Sequence, residues 1–121
     1  MSSLTKFIKK VCVQDAIYWG KPTSDGADLV YSQPKLIKCR WEEHFEKMID
    51  NAGQIVLSRA KVLVTEDLEV GGVLYLGDFT GLTNDHRIDP LRLNGAYTIK
   101  RVEKIPFMRS TSEWVRTVWL G

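Results

Sequence analysis

The sequence has few of the residues that mark metal sites, exported proteins or membrane spans. Its two cysteines, Cys12 and Cys39, lie far apart and outside any CxxC pair, so we expect two buried free thiols and no zinc site. No window reaches the roughly 18 to 20 apolar residues of a membrane span, and residues 1–10 lack the apolar core of a secretory signal. These absences predict cytosolic synthesis and no membrane partner.

Catalytic motifs are also scarce. The sequence has no P-loop and no GxSxG elbow, and its Gly71-Gly72 pair is too short to cradle a phosphate. His44 lies among glutamates, and His86 lies in the polar segment 84–89. That segment offers an imidazole and carboxylates in one loop, as metal and acid–base sites do, but Asp and Asn in loops more commonly accept backbone hydrogen bonds. We therefore expect no enzyme activity, no metal and no cofactor.

The composition is that of one soluble globular domain spanning residues 1–121. Apolar residues make up 44% and charged residues 26% of the chain, which excludes wholesale disorder. The net charge of +2 does not predict nucleic-acid binding by itself, because duplex-binding faces carry clustered cations. Residues 1–10 combine apolar residues at helical spacing with three lysines, and we interpret them as a flexible arm that becomes a strand near Lys10, with a short helix as the alternative.

Residues 53–77 predict two strands of a β-meander. Alternation along the first strand puts small residues on an inward face and mixes apolar residues with cations on the other. The inward set is Val56, Ser58, Ala60, Val62 and Val64, and the outward set is Ile55, Leu57, Arg59, Lys61 and Leu63. Glycines at 71, 72 and 77 predict bends or bulges, so a curved sheet is expected.

The rest of the chain alternates strand-like runs with two long loops. Strand patterns cover 11–19, 35–41, 95–105 and 113–120, while 42–50 fits either a helical turn or a continued ribbon. Turn-forming residues dominate about 20–33 and 78–94, which we interpret as long loops without regular structure. The fold class expected is mainly β, a small curled β-barrel or sandwich of five to six or more strands with at most one or two short helices.

Two strands carry cations beside a tryptophan. The candidate basic and aromatic surface consists of Lys35, Lys38, Arg40, Trp41, Arg59 and Lys61. Such a surface is typical of proteins that bind single-stranded nucleic acids, and Trp41 and Trp119 are the two rings to watch for base stacking. The alternative is that the cations face solvent and pair with nearby glutamates. A small-barrel nucleic-acid-binding protein is therefore one functional hypothesis.

The order of the motifs along the chain supports a second hypothesis. Ile17-Tyr18-Trp19 leads into a loop with Gly and Asp, and Pro34 opens a strand ending in Arg40-Trp41-Glu42. The chain continues through Asn51-Ala52-Gly53-Gln54, Ser58-Arg59-Ala60-Lys61-Val62, Val70-Gly71-Gly72-Val73-Leu74-Tyr75-Leu76-Gly77, a strand at 96–102 and the closing Val118-Trp119-Leu120. From about Tyr18 to Leu120 this order resembles the small head-tail connector proteins of tailed bacteriophages, of the head-closure or stopper type.

The resemblance implies a β-barrel subunit of a ring in the virion, between the portal or adaptor of the head and the tail. It also implies synthesis in the host cytoplasm and a loop that reaches into the channel to retain packaged DNA. Tail-completion ring proteins have related folds and are the alternative within the same class. The residues expected to face a neighbouring subunit or the channel lie in the two long loops: Asp25, Gly26, Asn84, Asp85, His86 and Arg87.

Overall fold

The computed structural model describes residues 6, 10–26, 28–106 and 114–121. Within them the strands are β1 (Gln14–Trp19), β2 (Thr23–Asp25), β3 (Asp28–Val30), β4 (Lys35–Ile49), β5 (Ile55–Val64), β6 (Val73–Leu76), β7 (Ala96–Pro106) and β8 (Trp114–Leu120). A short α-helix, α1 (Asn84–Ile88), lies between two 3-10 turns, Phe79–Gly81 and Pro90–Arg92.

Six of these strands form a closed barrel in the order β1-β4-β5-β8-β7-β6, and β6 pairs with β1 to close it. All of the pairs are antiparallel. The register shifts between Glu43 and Glu46 in β4 and between Ile99 and Arg101 in β7, and such bulges increase local twist and curvature. The predicted mainly β fold is confirmed, and of the two expected architectures, barrel or sandwich, the chain forms the barrel.

The barrel interior is filled by the inward-facing residues of every strand. Along β5, Ser58, Ala60, Val62 and Val64 are buried while Arg59 and Lys61 are exposed, as the alternation of that strand predicted. Ile37, Cys39 and Trp41 of β4 face the same interior. The inner residues are mostly small or β-branched, which suits the narrow lumen of a six-stranded barrel.

A second apolar core lies on the outside of the barrel, against β1 and β6. It consists of Ile17, Trp19, Val73 and Leu93, and Phe79 and Leu82 pack on it. Gly72 allows this close packing, because a Cβ there would lie 2.7 Å from the backbone oxygen of Trp19. The segment between β6 and β7 is therefore folded onto the barrel wall.

Several predicted boundaries were wrong. The first long loop contains the β2–β3 hairpin, and the second contains α1 and both 3-10 turns. β4 runs on to Ile49, so the continued ribbon, one of the two alternatives predicted for segment 42–50, is the one observed. Lys10 and Val11 are helical and the first strand begins only at Gln14, which corrects the strand predicted to start near Lys10. Most of the predicted arm, residues 1–5 and 7–9, lies outside the described residues.

Candidate assembly surfaces

The β4–β5 hairpin extends beyond the part of β5 that pairs with β8, which begins at Ala60. At its turn the Asp50 carboxylate accepts hydrogen bonds from the backbone N–H groups of Ala52 and Gln54, both at 2.9 Å. Gly53 adopts φ +81°, a conformation that glycine tolerates without strain. The sequence Asp50–Gln54 therefore fixes the end of a projecting hairpin.

One face of this hairpin carries exposed apolar side chains, which we call the hairpin patch: Phe45, Ile49, Ile55 and Leu57. Ile49 lies directly opposite Ile55 in the register, and the Arg59 guanidinium lies 5.9 Å from the centre of the Phe45 ring. Phe45 and Ile55 are each 75% exposed. Clusters of exposed apolar residues, unlike single ones, mark interaction surfaces.

The hairpin end is also fastened to the barrel. Asn51 Oδ1 accepts a hydrogen bond from the backbone N–H of Val102 at 2.9 Å, and the Ile49 carbonyl accepts one from the Arg101 guanidinium at 3.4 Å. Both donors belong to β7. The hairpin patch is therefore held in a defined position relative to the barrel, as a pre-organised binding surface requires.

A second surface, which we call the groove, lies between β3 and the segment that contains α1. It encloses about 630 Å³, within the ~300–1,000 Å³ range of pockets that bind small ligands. Its apolar side chains are Leu29, Val30, Ile88 and Leu91, all exposed. Asp28, Asp85, Asp89 and Arg92 are its charged residues. The groove is thus apolar with a mainly acidic border.

The loop residues predicted to face a partner divide between these elements. Asp25 pairs with Asp28 in the β2–β3 hairpin, and Gly26 has φ +65° at its turn. The other four residues, Asn84, Asp85, His86 and Arg87, belong to α1. Asp85 lines the groove. The apolar residues of the groove were missed, although the exposed pair Leu29-Val30 in a polar stretch was a usable signal.

His86 and Arg87 of α1 have structural roles. Thr83 Oγ1 accepts from the His86 backbone N–H and His86 Nδ1 accepts from the Thr83 N–H, both at 3.3 Å, which forms a capping box. Arg87 lies 5.1 Å from the centre of the Phe79 ring, and its carbonyl accepts a hydrogen bond from Trp19 Nε1 at 3.1 Å. These bonds fix α1 on the barrel wall and thereby form one side of the groove.

The cations of the predicted basic surface largely have carboxylate partners. Lys35 pairs with Glu66, Lys38 with Asp15, and Arg40 with Glu42. Lys35 lies on the opposite strand face from Lys38 and Arg40, since side chains alternate. The prediction that the three share one surface is therefore wrong. Solvent-exposed ion pairs of this kind contribute ~0–1 kcal/mol each.

Trp41 does not belong to a surface at all. It is 9% exposed and packs in the barrel core, which corrects its assignment to the basic and aromatic surface. Trp119 lies on the outer wall, where Lys61 is 5.7 Å and Arg101 5.1 Å from its ring centre. Arg59 lies between the rings of Phe45 and Tyr97. Lys61 and Arg101 therefore already lie at the Trp119 ring, which was expected to stack on bases.

The pair His44 and Ser58 has the spacing of a catalytic dyad, with His44 Nε2 2.9 Å from Ser58 Oγ. Ser58 is fully buried, and its hydroxyl donates to the Ala60 carbonyl at 3.3 Å. A nucleophile must reach substrate and give its proton to the base, whereas this hydroxyl is inaccessible and its proton points elsewhere. The pair satisfies a buried hydroxyl beside the β4 bulge.

The two thiols are buried, as expected. Burial raises the pKa of Cys39 to about 12, and burial also raises the pKa of Cys12, whose Sγ lies 3.8 Å from the Leu63 carbonyl. Such thiols are protonated at neutral pH and act as small apolar side chains.

Two further findings concern the described part of the chain. No group of three or more His, Cys, Asp or Glu residues there is placed to hold a metal ion. None of the helices described is long and apolar enough to cross a membrane.

Comparison of the chain with family models, with curated proteins and with solved structures gives no match in any of the three.

Proposed function

We propose that the chain is a structural virion protein of a tailed bacteriophage. It forms an oligomeric ring that joins the portal or adaptor of the head to the tail, and the ring helps to retain the packaged DNA. The order of motifs that resembles head-closure proteins supports this proposal, and a small barrel with projecting hairpins suits such a subunit. A tail-completion ring is the alternative within the same class.

The observation that carries the proposal is the presence of two separate apolar surfaces on one small domain. The hairpin patch lies at the end of β4–β5, and the groove lies beside α1. A contact between two different surfaces of identical chains is heterologous, and repetition of that contact builds a ring when the rotation closes. A subunit between head and tail also needs surfaces for adjacent rings, so more than one apolar surface is expected.

The experiment that tests the proposal compares two isoleucine substitutions in the presence of the portal complex of the same phage. Ile55→Asp places a charge in the hairpin patch, while Ile105→Asp places one at an exposed site on β7 outside both surfaces. Because both side chains are exposed, we expect both variants to fold. Sedimentation and negative-stain imaging then report association and ring formation.

The unsubstituted chain and Ile105→Asp should add a ring to the portal complex, and Ile55→Asp should lose it. Failure of the unsubstituted chain to associate with any head or tail component contradicts the proposal. A monomeric state of the isolated chain does not, since connector subunits assemble on their neighbours. Equal association of the two variants with the portal complex would show that the hairpin patch is not part of the interface.

A further inference from the structure

We propose that the groove binds residues 4–10 of a neighbouring copy of this chain. The inference rests on the proposed ring, because it names the contact by which one subunit holds the next.

The groove requires a partner that is both apolar and basic. Leu29 and Ile88 are 63% and 72% exposed, so its apolar side chains lack cover in the single chain. Arg92 is neutralised by Asp89, with Nε 3.2 Å from Oδ2. Among the described residues no ion pair involves Asp28 or Asp85, so the border of the groove retains two uncompensated carboxylates.

Residues 4–10 have the complementary chemistry. Their sequence is Leu-Thr-Lys-Phe-Ile-Lys-Lys, three large apolar residues and three lysines in seven positions. Lys6 and Lys10 are exposed. The hairpin patch is a poorer complement to the acidic groove, because Lys47 at the end of the β4–β5 hairpin is accompanied by the acidic residues Glu46 and Asp50. Charge therefore favours residues 4–10 over the hairpin as the occupant of the groove.

The position of the segment favours a contact with a second copy. Val11, which directly follows residues 4–10 in the sequence, lies beside Arg40 and Leu63 on the outer wall of β4 and β5. The groove lies over the wall formed by β1 and β6. Seven residues span at most about 25 Å when fully extended. A contact between different walls is heterologous and is compatible with a closed ring.

The test is a disulfide across the proposed contact in the ring assembled on the portal complex. Ile8→Cys is combined with Leu91→Cys in the groove, and the control combines Ile8→Cys with Ile105→Cys. The native thiols are buried and do not compete. After oxidation, the first variant should give a ladder of covalent multimers on a non-reducing gel, and the control should stay monomeric.

The outcomes separate this inference from the proposed function. A disulfide within one chain shows that the segment binds its own groove and overturns the inference. An intact ring without any disulfide, or with an equal ladder in the control, overturns the inference and leaves the ring standing. Absence of a ring from the unsubstituted chain overturns both.

Charge reversal gives an independent readout. One variant carries Asp28→Lys and Asp85→Lys, and the other carries Lys6→Glu and Lys9→Glu. Each alone should lose roughly tenfold or more in apparent affinity for the ring, because like charges then meet at the contact. An equimolar mixture should recover assembly, since each reversed segment meets a reversed groove. A mixture that recovers nothing contradicts the contact.

Discussion

Two buried tryptophans allow one substitution to be compared in opposite hydrogen-bond situations. Trp19 Nε1 donates to the Arg87 carbonyl at 3.1 Å, whereas Nε1 of Trp41 has no partner among the described residues. The side chains are 0% and 9% exposed, so replacement by phenylalanine removes similar amounts of buried apolar surface. We therefore expect Trp19→Phe to destabilise the fold more than Trp41→Phe.

The expected magnitudes follow from three contributions. Loss of the larger ring lowers the free energy of unfolding by ~1–2 kcal/mol at either site. At Trp19 the lost hydrogen bond adds about 1 kcal/mol. At Trp41, removal of a buried N–H without a partner raises the free energy of unfolding by ~1–2 kcal/mol, which offsets the loss of the larger ring. Trp19→Phe should therefore destabilise the fold by about 2–3 kcal/mol, whereas Trp41→Phe should change its stability by no more than about 1 kcal/mol in either direction.

Urea unfolding followed by far-UV circular dichroism measures both values, at a concentration where sedimentation shows a monomer. Hydrogen exchange adds a local readout, because Trp19→Phe should speed exchange in α1, which the Arg87 carbonyl anchors to the barrel. Equal losses of stability for the two variants would contradict the assigned hydrogen bonding, since they would mean that the two N–H groups are equally well paired.

Three further predictions concern single sites. Cys12 and Cys39 should resist a thiol reagent at pH 8 until the chain unfolds, because burial raises the pKa of each; fast labelling of the native chain contradicts this. Gly72→Ala should destabilise the fold by ~2 kcal/mol or more, because its Cβ would meet a backbone oxygen at 2.7 Å. Gly53→Ala, which has open space around it, should cost only about 1 kcal/mol of stability for its positive φ. Similar thermal unfolding midpoints for the two variants contradict the close packing at Gly72. The hydrogen bond from Arg116 lowers the pKa of Asp67 below its usual range, so the stability that this carboxylate contributes is present above the unfolded-state pKa and is lost as pH falls through the lower folded-state pKa. Asp67→Asn should therefore reduce stability by less than ~1 kcal/mol at pH 7 and weaken the loss of stability in acid; an unchanged acid dependence contradicts this.

The barrel strands could be predicted because their inner faces carry a local pattern. In β5 the small residues Ala60 and Val62 alternate with Arg59 and Lys61, and a period of two needs no knowledge of neighbouring strands. Strict alternation also places Trp41 inside, beside Cys39. The assignment of Trp41 to a surface with Lys38 and Arg40 was wrong, because residues that are close in sequence along a strand point to opposite faces unless they are an even number of positions apart.

The outer core could not be predicted in the same way. Phe79, Leu82 and Leu93 are spaced irregularly, and they become one cluster only when the segment after β6 folds onto β1. Short helices there are fixed by caps such as Thr83 with His86, whose signal is weak without a periodic apolar run. The groove depends on this long-range packing, so its apolar residues were not recognised.

The proposed ring between head and tail can be located directly in the particle. Immunogold labelling of purified particles with an antibody against this chain, viewed by negative-stain electron microscopy, shows where the chain lies. We expect label at the junction of head and tail in intact particles. Particles that lack the chain, or that carry it only elsewhere, are incompatible with the proposed ring.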